Sequence, residues 1–364
     1  MNKYFFTSEA VTEGHPDKIC DLISDTILDE ALKNDSNSKM AIETTIKDDL
    51  IFIYGEENTK AKLDYETIAK NVLKEIGYEE DFKVLTKISK QSLEITNAVE
   101  QKNVCAGDQG IMFGYATNET EEYMPIAITF ANKLALKLAM ERKNKEIIGI
   151  LPDGKTQVTI EYQNGVPKRV DTIIIACQHK ENIDKEYLRN SIIEKVIKKV
   201  IPEKMLDDKT NIYINTSGSF IKGGPFADSG TTGRKIVCDT YGGYCPIGGG
   251  ALSSKDPTKV DRTGAYYARY VCKNIVAHGY CDKCLLQVSY AIGKEGPISL
   301  FIDTFETNKV SIEEIKKYID NNFSFKVQNM IDELNLKRPI YKSVSCYGHF
   351  GRNDLDLSWE KIKN

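Results

Sequence analysis

The chain has 364 residues, of which 41% are hydrophobic and 28% charged; these proportions exclude intrinsic disorder, collagen-like repeats and a small disulfide scaffold. The length suits two or three domains or one large interwoven unit. Lys and Arg number 49 against 53 Asp and Glu, so the net charge of −4 argues against nucleic acid or an anionic membrane as the main partner, while leaving room for a local cationic patch.

The first helix is read from Ile19, Leu22, Ile23, Ile27 and Ala31 at three- and four-residue spacing, behind Gly14-His15-Pro16. Pro16 suits a first helical position, Asp17 an acidic first turn, and Asp21, Asp25 and Asp29 fall on another side of the helix. Strand-like runs at 41–46 and 50–54, split by Lys47-Asp48-Asp49, predict a hairpin, and a helical stretch follows at 65–75. Between about Lys90 and Asn103 the chain turns polar and loses periodicity, which marks a candidate lid. The middle third predicts a helix at 125–143, strands at 156–162 and 170–178, and a helix at 185–200. The last third adds a glycine-rich segment, a helix at 259–277, strands at 285–292 and 298–305, and a helix at 312–321. Strands and helices recur in each third, so an α+β architecture of three related units is expected.

Nine scattered cysteines, an odd number, and an N-terminus with no apolar signal stretch predict free thiols in a reducing, cytoplasmic setting. No run of about 18 apolar residues occurs, and no membrane partner is expected. Cys281-Asp282-Lys283-Cys284 lacks the second pair that a zinc site needs. His179, His278 and His349 sit beside no nucleophile signature.

The densest polar segment runs from Gly218 to Arg262, with Lys222, Arg234, Lys235, Lys255, Lys259 and Arg262 interleaved among glycines. Glycines expose backbone N–H groups and the cations match phosphate oxygens, so a polyphosphate cradle is predicted, though a solvated surface loop has the same composition. It contains neither a Walker A loop nor a Rossmann fingerprint. Glu9, His15, Asp17 and Lys18 cluster at the first helix start, and Asp153 and Lys155 flank Gly154 at an expected turn before a strand. Carboxylates beside phosphate-binding cations point to Mg²⁺ and hence to ATP. These residues alone would also suit a Mg²⁺-ATP phosphotransferase.

Longer strings carry a resemblance that spans nearly the whole chain. They include Glu13-Gly14-His15-Pro16-Asp17-Lys18, Ala106-Gly107-Asp108-Gln109-Gly110, Gly223-Gly224-Pro225 and Gly233-Arg234-Lys235. Further on come Asp239-Thr240-Tyr241-Gly242-Gly243, Lys255-Asp256-Pro257, Lys259-Val260-Asp261-Arg262 and Tyr347-Gly348-His349-Phe350-Gly351-Arg352. The chain resembles the S-adenosylmethionine synthetase (methionine adenosyltransferase) family. The resemblance implies transfer of the adenosyl group of ATP to the sulfur of L-methionine, with the tripolyphosphate then hydrolysed to phosphate and diphosphate. It implies three similar intertwined α+β units about a pseudo-threefold axis, at roughly 1–92, 106–222 and 223–364, with residues 93–105 as the mobile loop.

By the same resemblance His15, Lys155, Arg234 and Lys255 are the catalytic positions, His15 donating to the leaving oxygen. The ATP set is His15, Asp153, Gly154, Lys155, Ser219, Phe220, Asp228, Arg234, Lys235, Ala251 and Lys255. Glu56, Gln91, Asp228 and Lys259 match methionine contacts. Glu9, Asp17 and Asp261 match Mg²⁺ carboxylates, with two ions per site, and Glu43 matches a K⁺ site. The family's subunits form dimers, often paired into tetramers, with each active site shared between two chains. The sequence departs from the family pattern at Ser219, where an arginine is usual, at Gly149-Ile150-Leu151-Pro152-Asp153, and at Ser92-Leu93-Glu94-Ile95 in a shortened loop. These departures admit an alternative, a catalytically weak ATP-binding subunit that acts through assembly.

Overall fold

The computed structural model describes residues 2–92 and 104–363. Most of the candidate lid, residues 93–103, lies outside them. In chain order the first third forms β1 (Lys3–Val11), α1 (Pro16–Asn34), β2 (Lys39–Lys47), β3 (Leu50–Asn58), α2 (Tyr65–Ile76) and β4 (Lys83–Lys90). The middle forms β5 (Gly110–Thr117), α3 (Ile126–Lys143), β6 (Ile150–Gln163), β7 (Val166–His179), α4 (Lys185–Ile192) and β8 (Asn211–Ile214). The last third forms β9 (Gly230–Thr231), α5 (Ile236–Asp239), α6 (Val260–Ala277), β10 (Lys283–Tyr290), β11 (Ser299–Asp303), α7 (Ile312–Asn322), α8 (Val327–Glu333) and α9 (Tyr341–Val344).

These elements build three sheets with strand orders β4-β3-β2-β9, β1-β6-β7-β8 and β11-β10-β5. Each sheet takes a strand from another third of the chain: β9 joins the first, β1 the second and β5 the third. A unit cut out by sequence would therefore lose a strand. Helices α1 and α2 pack on the first sheet, α3 on the second, and α6 on the third. Phe130, Leu134 and Leu138 of α3 join Ile160, Ile173 and Ile175 in one core, and α1, α6 and the C-terminal helices share the other. No helix among the described residues is long and apolar enough to cross a membrane.

The hairpin at 41–54 is present as β2 and β3, turning at Asp48, whose φ of 50° fits a tight two-residue connection. The expected helix at 185–200 passes into a π-helical turn at Ile193–Ile197 before its last residues Lys198–Val200. One sequence expectation needs correction. Leu151–Lys155 is not a turn before a strand but the irregular start of β6, with a register shift between Ile150 and Gly154. The Asp21, Asp25 and Asp29 side of α1 is buried, and each carboxylate meets donors from distant segments. Asp21 accepts the Gly233 N–H, Asp25 pairs with Arg262, and Asp29 accepts the N–H groups of Tyr341 and Lys342. No disulfide joins any of the nine cysteines, all of which are described and buried.

His349 packs in the same interior, its Nδ1 at 2.7 Å from the Tyr266 hydroxyl. Burial first, then the charge of Arg262, holds its imidazole well below the usual value near 6.5. The unfolded chain takes up a proton there below about pH 6.5 and the folded chain does not, so stability is full above that pH and falls as the pH drops. His349→Gln is therefore expected to flatten the pH dependence of the unfolding free energy between about pH 5 and 6.5 by about one proton. An unchanged slope in denaturant titrations across that range would contradict this.

Candidate functional site

The segment Thr12–Gly14 carries the chain from β1 into α1, with the Thr12 hydroxyl donating to Pro152 O at 2.7 Å and the Tyr78 hydroxyl to Gly14 O at 2.8 Å. This fixes His15 as the N-cap of α1: its Nδ1 accepts the N–H of Asp17 at 3.2 Å. A neutral imidazole whose Nδ1 accepts must carry its hydrogen on Nε2. Burial and then the Lys235 ammonium push the pKa of His15 down to about 3, so the ring is neutral at physiological pH and Nε2 is a donor.

Asp17 accepts the Thr231 N–H at 3.0 Å through Oδ1 and pairs with the Lys235 ammonium through Oδ2. Burial alone would raise this carboxyl, but Lys235 and the Thr231 N–H outweigh it and hold it below the usual range. Arg234 Nε lies 3.8 Å from Asp17 Oδ1, and its side chain is 56% exposed. The loop bearing both cations is pinned again at Gly233, whose N–H donates to Asp21 at 2.8 Å. Gly233 has φ of 79°, and a Cβ there would sit 2.4 Å from the Cβ of Ala251, so glycine is required twice over. Beyond the loop, Lys18 reaches both Asp21 at 2.8 Å and Asp239 at 2.5 Å. Sequence reasoning missed Asp21 and Asp239 as supports of this loop; the four-residue step from Asp17 along one helix face was the available signal.

Lys155 on β6 is exposed, and its charge acts on both His15 and Asp153. Asp153 accepts the Gly224 N–H at 2.7 Å through Oδ2, while its buried Oδ1 has no partner among the described residues. Burial raises its carboxyl despite the Gly224 bond and Lys155. Asp228 is exposed beside β9, with Oδ1 on the N–H of Ser229. Gly154 lies in β6 opposite Cys177, and Phe220 and the exposed Ser219 follow β8 beside the end of β7.

A second group lies further along the β2 edge. Thr45 and Ile46 pair with β9, whereas Ala41 bridges Lys255, four residues and roughly 13 Å away at strand rise. Lys255 Nζ pairs with Asp261 Oδ2 at 2.6 Å, and Lys259 with the fully buried Asp256 at 2.5 Å. Burial would raise Asp256, but the ammonium of Lys259, with that of Lys39, holds it low. Gly250 lets Asp261 approach, since a Cβ there would lie 2.2 Å from the carboxylate carbon. Glu56 is the cross-strand partner of Ala41 and pairs with Ser89, and Gln91 follows with its N–H on Glu57 O at 3.2 Å. Glu56, Ala41 and Lys255 thus stand in one row across the sheet.

The sequence-derived set therefore divides. His15, Asp17, Asp153, Lys155, Asp228, Arg234 and Lys235 form one group, and Glu56, Gln91, Lys255, Lys259 and Asp261 the other, with Ala251 lying against Gly233 of the first. Among the described residues no ion pair joins the two groups. Glu9 is exposed on β1 opposite Gln157, and Glu43 is exposed on β2 with the Tyr54 hydroxyl at 3.5 Å. No cluster of three or more His, Cys, Asp or Glu suited to a metal occurs among the described residues. Asp17 and Asp261 are single carboxylates beside phosphate-type cations, which fits an Mg²⁺ ion completed by substrate phosphates rather than a protein cage.

Interwoven α+β sheets carrying clustered lysines, an arginine and a neutral histidine define a protein built to hold a polyanion. Family models agree along the chain: the N-terminal domain of S-adenosylmethionine synthetase matches residues 3–103, its central domain 103–220 and its C-terminal domain 222–361. S-adenosylmethionine synthase of Finegoldia magna is 48% identical, over 99% of this chain and 97% of its own length. The synthase of Syntrophobacter fumaroxidans is 49% identical, over 99% of this chain and 96% of its own. The chain belongs to the S-adenosylmethionine synthetase family.

Proposed function

We propose that the protein is an ATP:L-methionine S-adenosyltransferase, in which the methionine sulfur attacks the ribose C5′ of ATP and displaces tripolyphosphate, which is then hydrolysed to phosphate and diphosphate. The observation that carries this reading is the neutral His15, with Nδ1 taken by the Asp17 N–H and Nε2–H free to donate, set among Lys155, Arg234 and Lys235. The sulfur is itself the nucleophile, so the protein's tasks are to align two substrates and to stabilise a multiply charged leaving group. His15 Nε2–H donates to the departing oxygen, and Lys155, Arg234, Lys235 and Lys255 draw the phosphates. The unpartnered Oδ1 of Asp153 is a buried acceptor suited to a nucleotide hydroxyl or amine. Glu56, Gln91, Asp228 and Lys259 are the methionine contacts, Phe220 faces the base, and Gly154, Ser219 and Ala251 complete the nucleotide wall.

Two Mg²⁺ held by Asp17, Asp261 and Glu9 with the phosphates, and one K⁺ at Glu43, would neutralise charge on the tripolyphosphate. The separation of the two groups along β2 favours an active site completed by a second copy of the chain, in a cytoplasmic homodimer or dimer of dimers. With ATP, methionine, Mg²⁺ and K⁺ supplied, the protein is expected to form S-adenosylmethionine and to release phosphate and diphosphate only when methionine is present. Absence of product at high protein concentration would leave the assembly subunit, and methionine-independent phosphoryl transfer would point to a phosphotransferase.

A further inference from the structure

The end of β7 is fastened to the segment after β8 by side chains as well as by backbone bonds. Asn215 Oδ1 accepts the Cys177 N–H at 2.8 Å and its Nδ2 donates to Cys177 O at 2.9 Å. Gln178 Oε1 accepts the Asp153 N–H at 3.2 Å and Nε2 donates to Ile221 O at 3.1 Å. Between these, His179 holds Phe220 from both sides. The His179 N–H donates to Phe220 O at 2.9 Å, and the Phe220 N–H donates back to His179 Nε2 at 3.0 Å. The other ring nitrogen, Nδ1, lies 2.9 Å from Lys180 O, so the neutral ring carries its hydrogen there and accepts at Nε2. The side chain is buried, and its polar atoms are spent on backbone.

We propose that His179 is a positioning residue for the nucleotide: it fixes the Phe220 backbone and thereby the aromatic face offered to the base. This rests on the reading of Phe220 as a nucleotide contact. An imidazole that only closed the sheet would affect all activities alike. One that works through Phe220 affects substrates with a base and spares those without one.

The two-step chemistry supplies such a pair of substrates. ATP needs the base contact, whereas inorganic tripolyphosphate, supplied alone, needs only the phosphate groups. In the full-length protein His179→Ala is expected to raise KM for ATP about tenfold, the cost of a lost buried hydrogen bond, and to leave tripolyphosphate hydrolysis within about twofold. His179→Gln, whose Oε1 can reach the Nε2 position, is expected to recover most of the ATP affinity, and His179→Leu, which fills the space but accepts no hydrogen bond, takes the place of the alanine variant if that one does not fold. Equal loss of both activities, or an unchanged KM for ATP in the variant that accepts no hydrogen bond from the Phe220 N–H, overturns the positioning role. Phe220→Ala separates the two readings: a raised KM for ATP there, with no effect at His179, removes the positioning role alone. An unchanged KM in Phe220→Ala removes the nucleotide contact and the inference with it.

Discussion

Lys155→Met and Lys255→Met are each expected to lower kcat by about 10²–10³-fold, with smaller changes in KM for methionine, because each cation acts most strongly as charge develops on the leaving tripolyphosphate. Neither change should unfold the protein. Lys155 is exposed on β6, and Lys255 is a half-buried partner of Asp261. The two lysines belong to different groups, one beside His15 and the other at the Ala41 end of β2. If each active site takes one group from each of two chains, a mixed dimer of the two variants contains one site with both defects and one with neither. Random exchange between the variants should then restore about a quarter of wild-type turnover. A site built within one chain would show no recovery on mixing, although each variant alone would remain slow. Wild-type-like rates in both single variants would refute the phosphate assignment itself.

The first helix shows what the sequence could and could not reveal. Its apolar spacing, its Pro16 start and its acidic first turn were legible because they are local properties of a helix. The burial of Asp21, Asp25 and Asp29 was not, because the partners Gly233, Arg262 and Tyr341 stand more than 200 residues away. Strands β1 and β4 escaped recognition for another reason: their exposed residues, among them Phe5, Thr7 and Glu9 in β1, leave little apolar alternation to read. The glycine-rich cation segment was legible as a concentration of cations among glycines, a composition that suits a phosphate cradle and a solvated loop alike. Its division along β2 was not, because it depends on β9 and Lys255 pairing at opposite ends of one strand. The support that His179 gives Phe220 was equally hidden, being a contact from side chain to backbone across 41 residues.

Removing either partner of the Asp25–Arg262 pair is expected to have the largest effect on stability. The two form a bidentate pair at 2.8 and 2.7 Å, and both are fully buried. Arg262 also donates to Lys255 O at 3.1 Å and to the Tyr266 hydroxyl at 3.0 Å, and its guanidinium lies 4.2 Å from the Tyr341 ring centroid. Asp25 accepts the Ser254 N–H at 3.0 Å. Leaving one charge buried without the other costs about 3–5 kcal/mol, so Arg262→Leu or Asp25→Leu should each lower the unfolding free energy by that amount. The double variant should lose less than the sum, because no unpaired charge remains. Chemical denaturation of the four proteins measures the coupling, and strict additivity would contradict the paired burial. The pair also joins α1, which presents His15 and Asp17, to α6 and the Lys255 backbone. A single variant that still folds should therefore lose turnover beyond its loss of stability, as both groups of cations lose their common anchor.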